Sequence, residues 1–305
     1  MSAFTCNSER MLPDLLHSLP AGLSGVDDWR LVVADSGSTD ATVPIAREMG
    51  RDVAPAATVV ELPNLGFAAQ ANAAAAADPE ADAVLILSQT ARLQPGCAAR
   101  LLDAVAKPGI GVAVPRLFDG HGRLRTSLRR TPTLGRAWGE ALLGGRLTRR
   151  FPALTEVVRD PAGYGDRTGF TWATGGVTMF RLDCMRAIGG WDEAFFLYSE
   201  ETDFELRAAD HGYGVVFVPD ALATHIGGES KVRPEFWAHL CANRVRLYGK
   251  RHGRVAATAF WAAITAGEAL RLPSRRATRQ RAIGKLVRER SALVRGEPAR
   301  KPAGY

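Results

Sequence analysis

The densest chemistry in the chain lies between Gly189 and Arg207, GGWDEAFFLYSEETDFELR. An aromatic run (Phe195, Phe196, Tyr198) leads into an acidic cluster of Glu200, Glu201, Asp203 and Glu205. Ser199 is suited to N-cap a helix that Gly212 would stop, with Glu200 and Glu201 in its first turn. Carboxylates at that position face the positive end of the helix dipole, which favours their ionised form. An ionised carboxylate beside an aromatic wall can serve as a general base, with a platform for an apolar or sugar ring. The competing reading is an ordinary solvated acidic helix start. Asp203 and Arg207 stand at the i,i+4 spacing of an ion pair, so Asp203 is expected to orient the helix rather than react.

Elements that could position this stretch alternate along the chain. Leu12, Leu15, Leu16 and Leu19 form the stripe of an amphipathic helix, with Asn7 or Ser8 available to cap it. Leu31 to Ala34 reads as a short apolar strand ending in the polar turn Asp35-Ser36-Gly37-Ser38-Thr39-Asp40. Strand, Gly turn and helix begin a doubly wound α/β unit, whose ligands sit at the carboxyl ends of strands. Val59 to Leu62 is a second strand; Asn64-Leu65-Gly66-Phe67 then opens an Ala-rich helix through Asn72. Ala83 to Leu87 is an unbroken apolar run, the pattern of a central parallel strand. Further strands are expected at Gly111 to Pro115, Val177 to Phe180 and Val215 to Val218, and a mobile or helical insertion from Leu134 to Ala162.

The Gly189 to Arg207 block resembles the G-W/F-D-E-x-F-F-x-Y-x-E-D-x-D-L-x-x-R pattern of family-two inverting glycosyltransferases, especially their rhamnosyltransferase-like branch. Other blocks follow in the family's order from Thr5 to Lys250. The resemblance implies an α/β, GT-A-type nucleotide-diphospho-sugar transferase fold, a mixed sheet between helices. It assigns Thr5, Asn7 and Asp35, with Asn64, Gly66, Asn72 and Thr90, to the nucleotide-sugar donor. Trp172, Gly175 and Gly176, joined by Trp191 and Asp192, fall to the sugar and acceptor pocket. Glu201 is the implied base that takes the acceptor proton, with Glu200 as the alternative. His225 matches a family histidine that often binds metal.

Two departures stand out. Only Met1 to Phe4 precede the Thr5-Cys6-Asn7 motif, where the family has a full buried strand, so the strand is either clipped or begins upstream. After Ala83 to Leu87 the family carries an Asn-x-Asp whose last carboxylate binds the metal; here the residues are Ser88-Gln89-Thr90. A threonine hydroxyl is a far weaker ligand for a hard cation such as Mg²⁺ or Mn²⁺. The leaving diphosphate then needs its positive charge from a weak metal site or from arginines, of which Arg123, Arg125, Arg129 and Arg130 are at hand. A second class of function, a non-catalytic nucleotide-sugar-binding or partner protein that has lost the metal site, also accommodates Thr90.

Composition sets the remaining bounds. The chain has 305 residues, 46% of them hydrophobic, enough for one large core or two modest ones. No run of roughly 18 uncharged apolar residues is present, so no membrane helix is expected. The first residues reach a charge before any apolar run forms, so no secretory leader is expected. Cys6, Cys97, Cys184 and Cys241 lack ligand spacing and read as reduced cytoplasmic thiols. From Arg271 to Tyr305, eleven Lys/Arg face two Glu, which exceeds the formal net charge of +7 and leaves the body slightly acidic. The expected division is a 1–250 glycosyltransferase domain and a 251–305 basic helical tail. In the tail, Ile283, Leu286, Val287, Leu293 and Val294 form an apolar stripe among arginines, suited to an anionic membrane surface or to docking on the body. Nucleic acid is not an expected partner, because no aromatic residues interleave that basic segment. The expected partners are a nucleotide-sugar donor and a glycan or lipid-linked acceptor, and the expected location is the cytoplasm, with the inner face of the cell membrane as a peripheral site.

Overall fold

The computed structural model describes residues 1–148, 150–159, 164, 170–226 and 233–298. In chain order the elements are β1 (Ser2–Thr5), α1 (Leu12–Gly22), β2 (Val32–Ser36), α2 (Thr42–Val53), β3 (Thr58–Leu62), α3 (Phe67–Ala77), β4 (Ala83–Ser88), β5 (Ala91–Leu93), α4 (Cys97–Val105), β6 (Ile110–Phe118), β7 (Leu128–Arg129), α5 (Leu134–Leu147), β8 (Trp172–Ala173), β9 (Val177–Arg181), α6 (Leu182–Ile188), α7 (Glu200–Asp210), β10 (Gly214–His225), α8 (Pro234–Leu270), α9 (Arg276–Arg288) and α10 (Arg290–Val294). Residues 160–162 of the expected insertion, residues 227–230 after His225 and the end of the tail lie outside the described residues.

Eight strands form one sheet in the order β3-β2-β1-β4-β9-β6-β10-β5, and β7 pairs with β8 in a small second sheet. The run β3-β2-β1-β4 is parallel, β9 is antiparallel to both β4 and β6, and β10 returns parallel to β6. The sheet is therefore mixed. The period of two along each strand distributes its side chains between two cores. On β4, Leu85 and Leu87 enter the core under α1, α2 and α4, while Val84 and Ile86 enter the core under α3, α6 and α7. That two-sided burial explains the unbroken apolar run. The short first strand lies at the centre: all four residues of β1 are buried, paired with β2 on one side and β4 on the other.

The leucine stripe of α1 is buried as its spacing predicts. Neither proposed cap operates, because Asn7 adopts a left-handed conformation (φ 47°) and accepts from the Thr39 N–H, while Ser8 contributes only its backbone carbonyl to the helix start. The 134–162 region supplies α5, so the expected insertion is helical over much of its described length.

A third core joins α5, α8, α9 and α10. Leu286 and Leu293 of the tail stripe are fully buried there, and Ile283 and Val294 are half-buried. Buried Glu268 of α8 binds Arg279 at 2.7 Å and accepts from the Trp237 indole, which locks α9 onto α8. The stripe is thus a docking face, and only Val287, 57% exposed, remains turned to solvent. The boundary expected at 250/251 falls inside α8, just before its kink at Gly253. Among the described residues no helix is long and apolar enough to cross a membrane.

Candidate active site

The carboxyl ends of β1, β2 and β4 meet at one edge of the sheet. Thr5 Oγ1 donates to Asp35 Oδ1 at 2.8 Å, and Asp35 accepts from the Ser38 N–H and hydroxyl at 2.8 and 2.6 Å. Ser36 donates to Asn64 Oδ1 at 3.3 Å. Gln70, which no sequence signal singled out, donates to the carbonyls of Thr5 and Ala34 and pins α3 beneath both strand ends. The motif residues Thr5, Asn7, Asp35 and Asn64 are thereby brought together. Ser8 donates to Gln89 at 2.8 Å, which joins this cluster to the segment after β4.

Gly66 and Asn72 do different work from their neighbours. A Cβ on Gly66 (φ +91°) would lie 2.0 Å from the Phe196 carbonyl oxygen, so glycine is required where the aromatic run crosses α3. Asn72 donates to the Trp191 carbonyl and to Glu193 and accepts from the Trp191 N–H. Its amide is a clasp between α3 and the loop before α7. Trp191 itself is core: it is 3% exposed and stacks on Phe204 at 4.3 Å. Asp192 is bound by Lys250. These two residues therefore stand apart from the pocket expected for them, because their side chains are consumed in fixing α7.

Helix α7 begins as expected, but not with a hydroxyl cap. Tyr198 and Ser199 are both left-handed (φ 69° and 73°), and the Ser199 side chain makes no capping bond. Such backbone strain costs about 1–3 kcal/mol per residue and needs outside support. Asn243 of α8 supplies it by donating to the carbonyls of Leu197 and Tyr198 at 2.8 and 3.0 Å. Asp203 is held by Arg207 at 2.6 Å and Lys250 at 3.0 Å, the structural role expected of it.

The acids then separate by burial. Glu200 is 4% exposed, and burial followed by the Glu201 charge raises its pKa well above the carboxylate range. The dipole therefore does not keep Glu200 ionised; desolvation wins. Glu205 is fully buried, and burial raises its pKa strongly while it accepts from the Ala173 N–H at 2.8 Å, tying α7 to β8. Glu201 is half-buried, with its Oε2 out of contact with solvent, and its Oε1 accepts from the Gly175 N–H at 3.3 Å. Trp172, 9% exposed, donates its indole N–H to the Arg130 carbonyl.

Gly175 and Gly176 form the bridge across the site. Gly175 touches Glu201, while a Cβ on Gly176 (φ +129°) would lie 2.4 Å from Cδ2 of His225. The Gly176 carbonyl also accepts from the Ser88 N–H at 2.8 Å. Thr90 Oγ1 lies 3.1 Å from Ser88 Oγ and 3.2 Å from His225 Nε2, and Arg125 Nη1 donates to His225 Nδ1 at 2.9 Å. A guanidinium cannot accept, so Nδ1 must, and the ring's proton resides on Nε2, facing Thr90. Burial and the Arg125 charge lower the His225 pKa to about 4, which keeps the ring neutral. Both ring nitrogens are engaged and the neighbouring ligands are hydroxyls. This donor set does not fit a hard divalent cation. Among the described residues no group of three His, Cys, Asp or Glu could hold a metal.

Strand ends that carry an Asp-hydroxyl cradle, facing an acidic helix across a glycine pair, define a GT-A-type transferase. The chain belongs to the glycosyl transferase family group 2, whose family model matches residues 83–244. It is 29% identical over 229 residues to the N-acetylglucosaminyl-diphospho-decaprenol L-rhamnosyltransferase of Mycobacterium tuberculosis, covering 72% of this chain and 73% of that protein. In fold it is similar to S. aureus TarS 1-349 in complex with UDP (15% identity, TM-score 0.53, covering 98% of this chain and 92% of that one). It is likewise similar to the mannosyltransferase PcManGT from Pyrobaculum calidifontis in complex with GDP-Man and Mn²⁺ (17% identity, TM-score 0.55, covering 97% and 82%). The protein is a glycosyltransferase.

Proposed function

We propose that this glycosyltransferase moves a rhamnose or similar hexose from a nucleotide-diphosphate donor to a glycan or lipid-linked acceptor, with inversion at the anomeric carbon. The observation that carries the reading is the Gly175-Gly176 pair, whose first residue donates to the Glu201 carboxylate and whose second packs against His225, itself in contact with Thr90 and Arg125. Glu201 takes the acceptor proton as the hydroxyl attacks. Burial and the neighbouring Glu201 charge raise the Glu200 pKa, which disfavours a second negative charge beside the base. Thr5, Asp35 and Asn64 are suited to a nucleoside at the strand ends, and the face between Trp172 and Gly175 to the sugar. The relative's name supports rhamnose and a lipid-linked diphosphate acceptor. Such an acceptor would bring the protein to a membrane surface. The buried stripe of α9 and α10 leaves that contact to exposed arginines such as Arg275, Arg276 and Arg288. Residues 1–250 and 251–305 are accordingly proposed as catalytic part and docked basic tail.

The test is transfer of rhamnose, N-acetylglucosamine or mannose from their nucleotide-diphosphate forms to N-acetylglucosaminyl-diphospho-polyprenol, read by chromatography of the lipid product. Rhamnose transfer with an inverted linkage is expected. Transfer from none of the three donors would overturn the reading.

A further inference from the structure

We propose that Asn243 and Arg246 of α8 are positioning residues for the base Glu201, acting through the left-handed turn at Tyr198 and Ser199. The inference rests on the transferase reading above, in which Glu201 takes the acceptor proton.

The loop before α7 is pinned carbonyl by carbonyl. Phe196 accepts from the Phe67 N–H at 3.3 Å, and Leu197 and Tyr198 accept from Asn243 Nδ2 at 2.8 and 3.0 Å. The Ser199 carbonyl accepts the first helical bond, from the Asp203 N–H at 2.9 Å. Tyr198 and Ser199 carry φ of 69° and 73°, a conformation that a residue with a Cβ adopts only when its surroundings hold it there. Glu200 and Glu201 follow directly. Any relaxation of the turn therefore rotates the first turn of α7 against Gly175, whose N–H donates to Glu201. Asn243 is 1% exposed, so its bonds to the loop are shielded from water that could replace them.

Arg246 determines which way that amide faces. A guanidinium only donates, so its Nη1 bond to Asn243 places Oδ1 on the arginine side and leaves Nδ2 for the two loop carbonyls. The guanidinium is itself fixed. It is 2% exposed, its Nε donates to the Glu297 carbonyl at 2.6 Å, and its Nη2 lies 3.9 Å from Glu289. Both acceptors flank α10, whose backbone lies directly on the next turn of α8. A Cβ on Gly249 would stand 2.7 Å from the Leu293 carbonyl oxygen. Contacts thus run from the tail through Arg246 and Asn243 to the turn that carries the base. Lys250 of the same helix holds α7 separately, through Asp203 at 3.0 Å. Loss of Asn243 should accordingly disturb the turn without releasing the helix.

The experiment is steady-state transfer by the full chain to N-acetylglucosaminyl-diphospho-polyprenol, with dTDP-rhamnose, UDP-N-acetylglucosamine and GDP-mannose as donors. For each variant kcat and donor KM are measured beside a thermal melt. Asn243→Asp is close to isosteric and keeps an acceptor for Arg246, but it loses the donors to Leu197 and Tyr198. It should lower kcat by about 10–100-fold, the cost of a small misplacement of a reacting group, with donor KM little changed. Arg246→Met frees the amide to turn over and should lower kcat less, while Arg246→Lys keeps a donor and should lie nearer wild type. Rescue separates positioning from mere stability. Ser199→Gly removes the cost of positive φ at a residue whose side chain makes no capping bond. The kcat of Asn243→Asp combined with Ser199→Gly should therefore approach that of Ser199→Gly by itself. Should Asn243→Asp fail to fold, the same rescue is read on Arg246→Met. Asn243→Asp with wild-type kcat, or a loss that Ser199→Gly does not recover, would overturn the proposal and leave the transferase reading standing. Wild-type protein that transfers from none of the three donors would overturn both.

Discussion

Helix α7 secures its carboxylates by burying them, whereas the ends of β4 and β10 secure a cation by bonding it to a ring. At the acidic end Glu200 and Glu205 sit in apolar surroundings, and burial raises both pKa values. Glu201 is less buried than either, and its Oε1 accepts from the Gly175 N–H. At the opposite end a hydroxyl, an imidazole and a guanidinium form a chain in which each group fixes the next. Burial sorts like groups by protonation state without needing direction; a hydrogen-bonded chain fixes direction, and with it the tautomer and the plane of Arg125. The acidic end thus rests on burial and the other on directed hydrogen bonds.

The largest effect that tests this contrast is Glu201→Gln. Transfer should fall by about 10²–10⁴-fold, the usual worth of proton transfer, with nucleoside diphosphate affinity unchanged. Loss of binding in Glu201→Gln would mean that the two ends are one unit. Normal transfer in that variant, with Glu200→Gln inactive, would move the base by one position.

A smaller effect is expected at the bridge. Gly176→Ala forces a side chain onto His225 at positive φ and should lower stability by about 1–3 kcal/mol. Gly175→Ala meets Glu201 only at an ordinary 3.8 Å and should leave the unfolding midpoint nearly unchanged. Equal midpoints for the two variants would show that the bridge is not tight on the His225 side.

The smallest effect is a pH dependence. A carboxyl whose pKa is raised in the fold takes up a proton on folding, so its contribution favours the fold at low pH and is lost as pH rises toward the raised value. Glu200→Gln is neutral throughout. Its melting temperature relative to wild type should therefore climb as pH rises above the ordinary carboxylate range, by about 2–4 °C per kcal/mol. A difference independent of pH would show that Glu200 is charged in the fold.

Much of this molecule was legible in the amino-acid order because it is encoded locally. The apolar run of β4, the leucine stripe of α1 and the Asp203–Arg207 pair rest on periodicities of two, three or four residues, and each formed as spacing dictates. The replacement of a metal carboxylate by Thr90 was equally plain. Burial and partner choice were not legible, since they depend on residues far apart in the chain. Arg125 and His225 are separated by 100 residues, so no local pattern could select Arg125 from its three neighbours or set the tautomer of the ring. Asn243 supports the strained start of α7 from 45 and 46 residues away. Trp191 read as pocket and became core because Phe204 lies one helix turn along a helix whose position only packing fixes. The tail's stripe read equally as membrane face or docking face, and α8 settled it by offering an apolar surface for Leu286 and Leu293 to leave water.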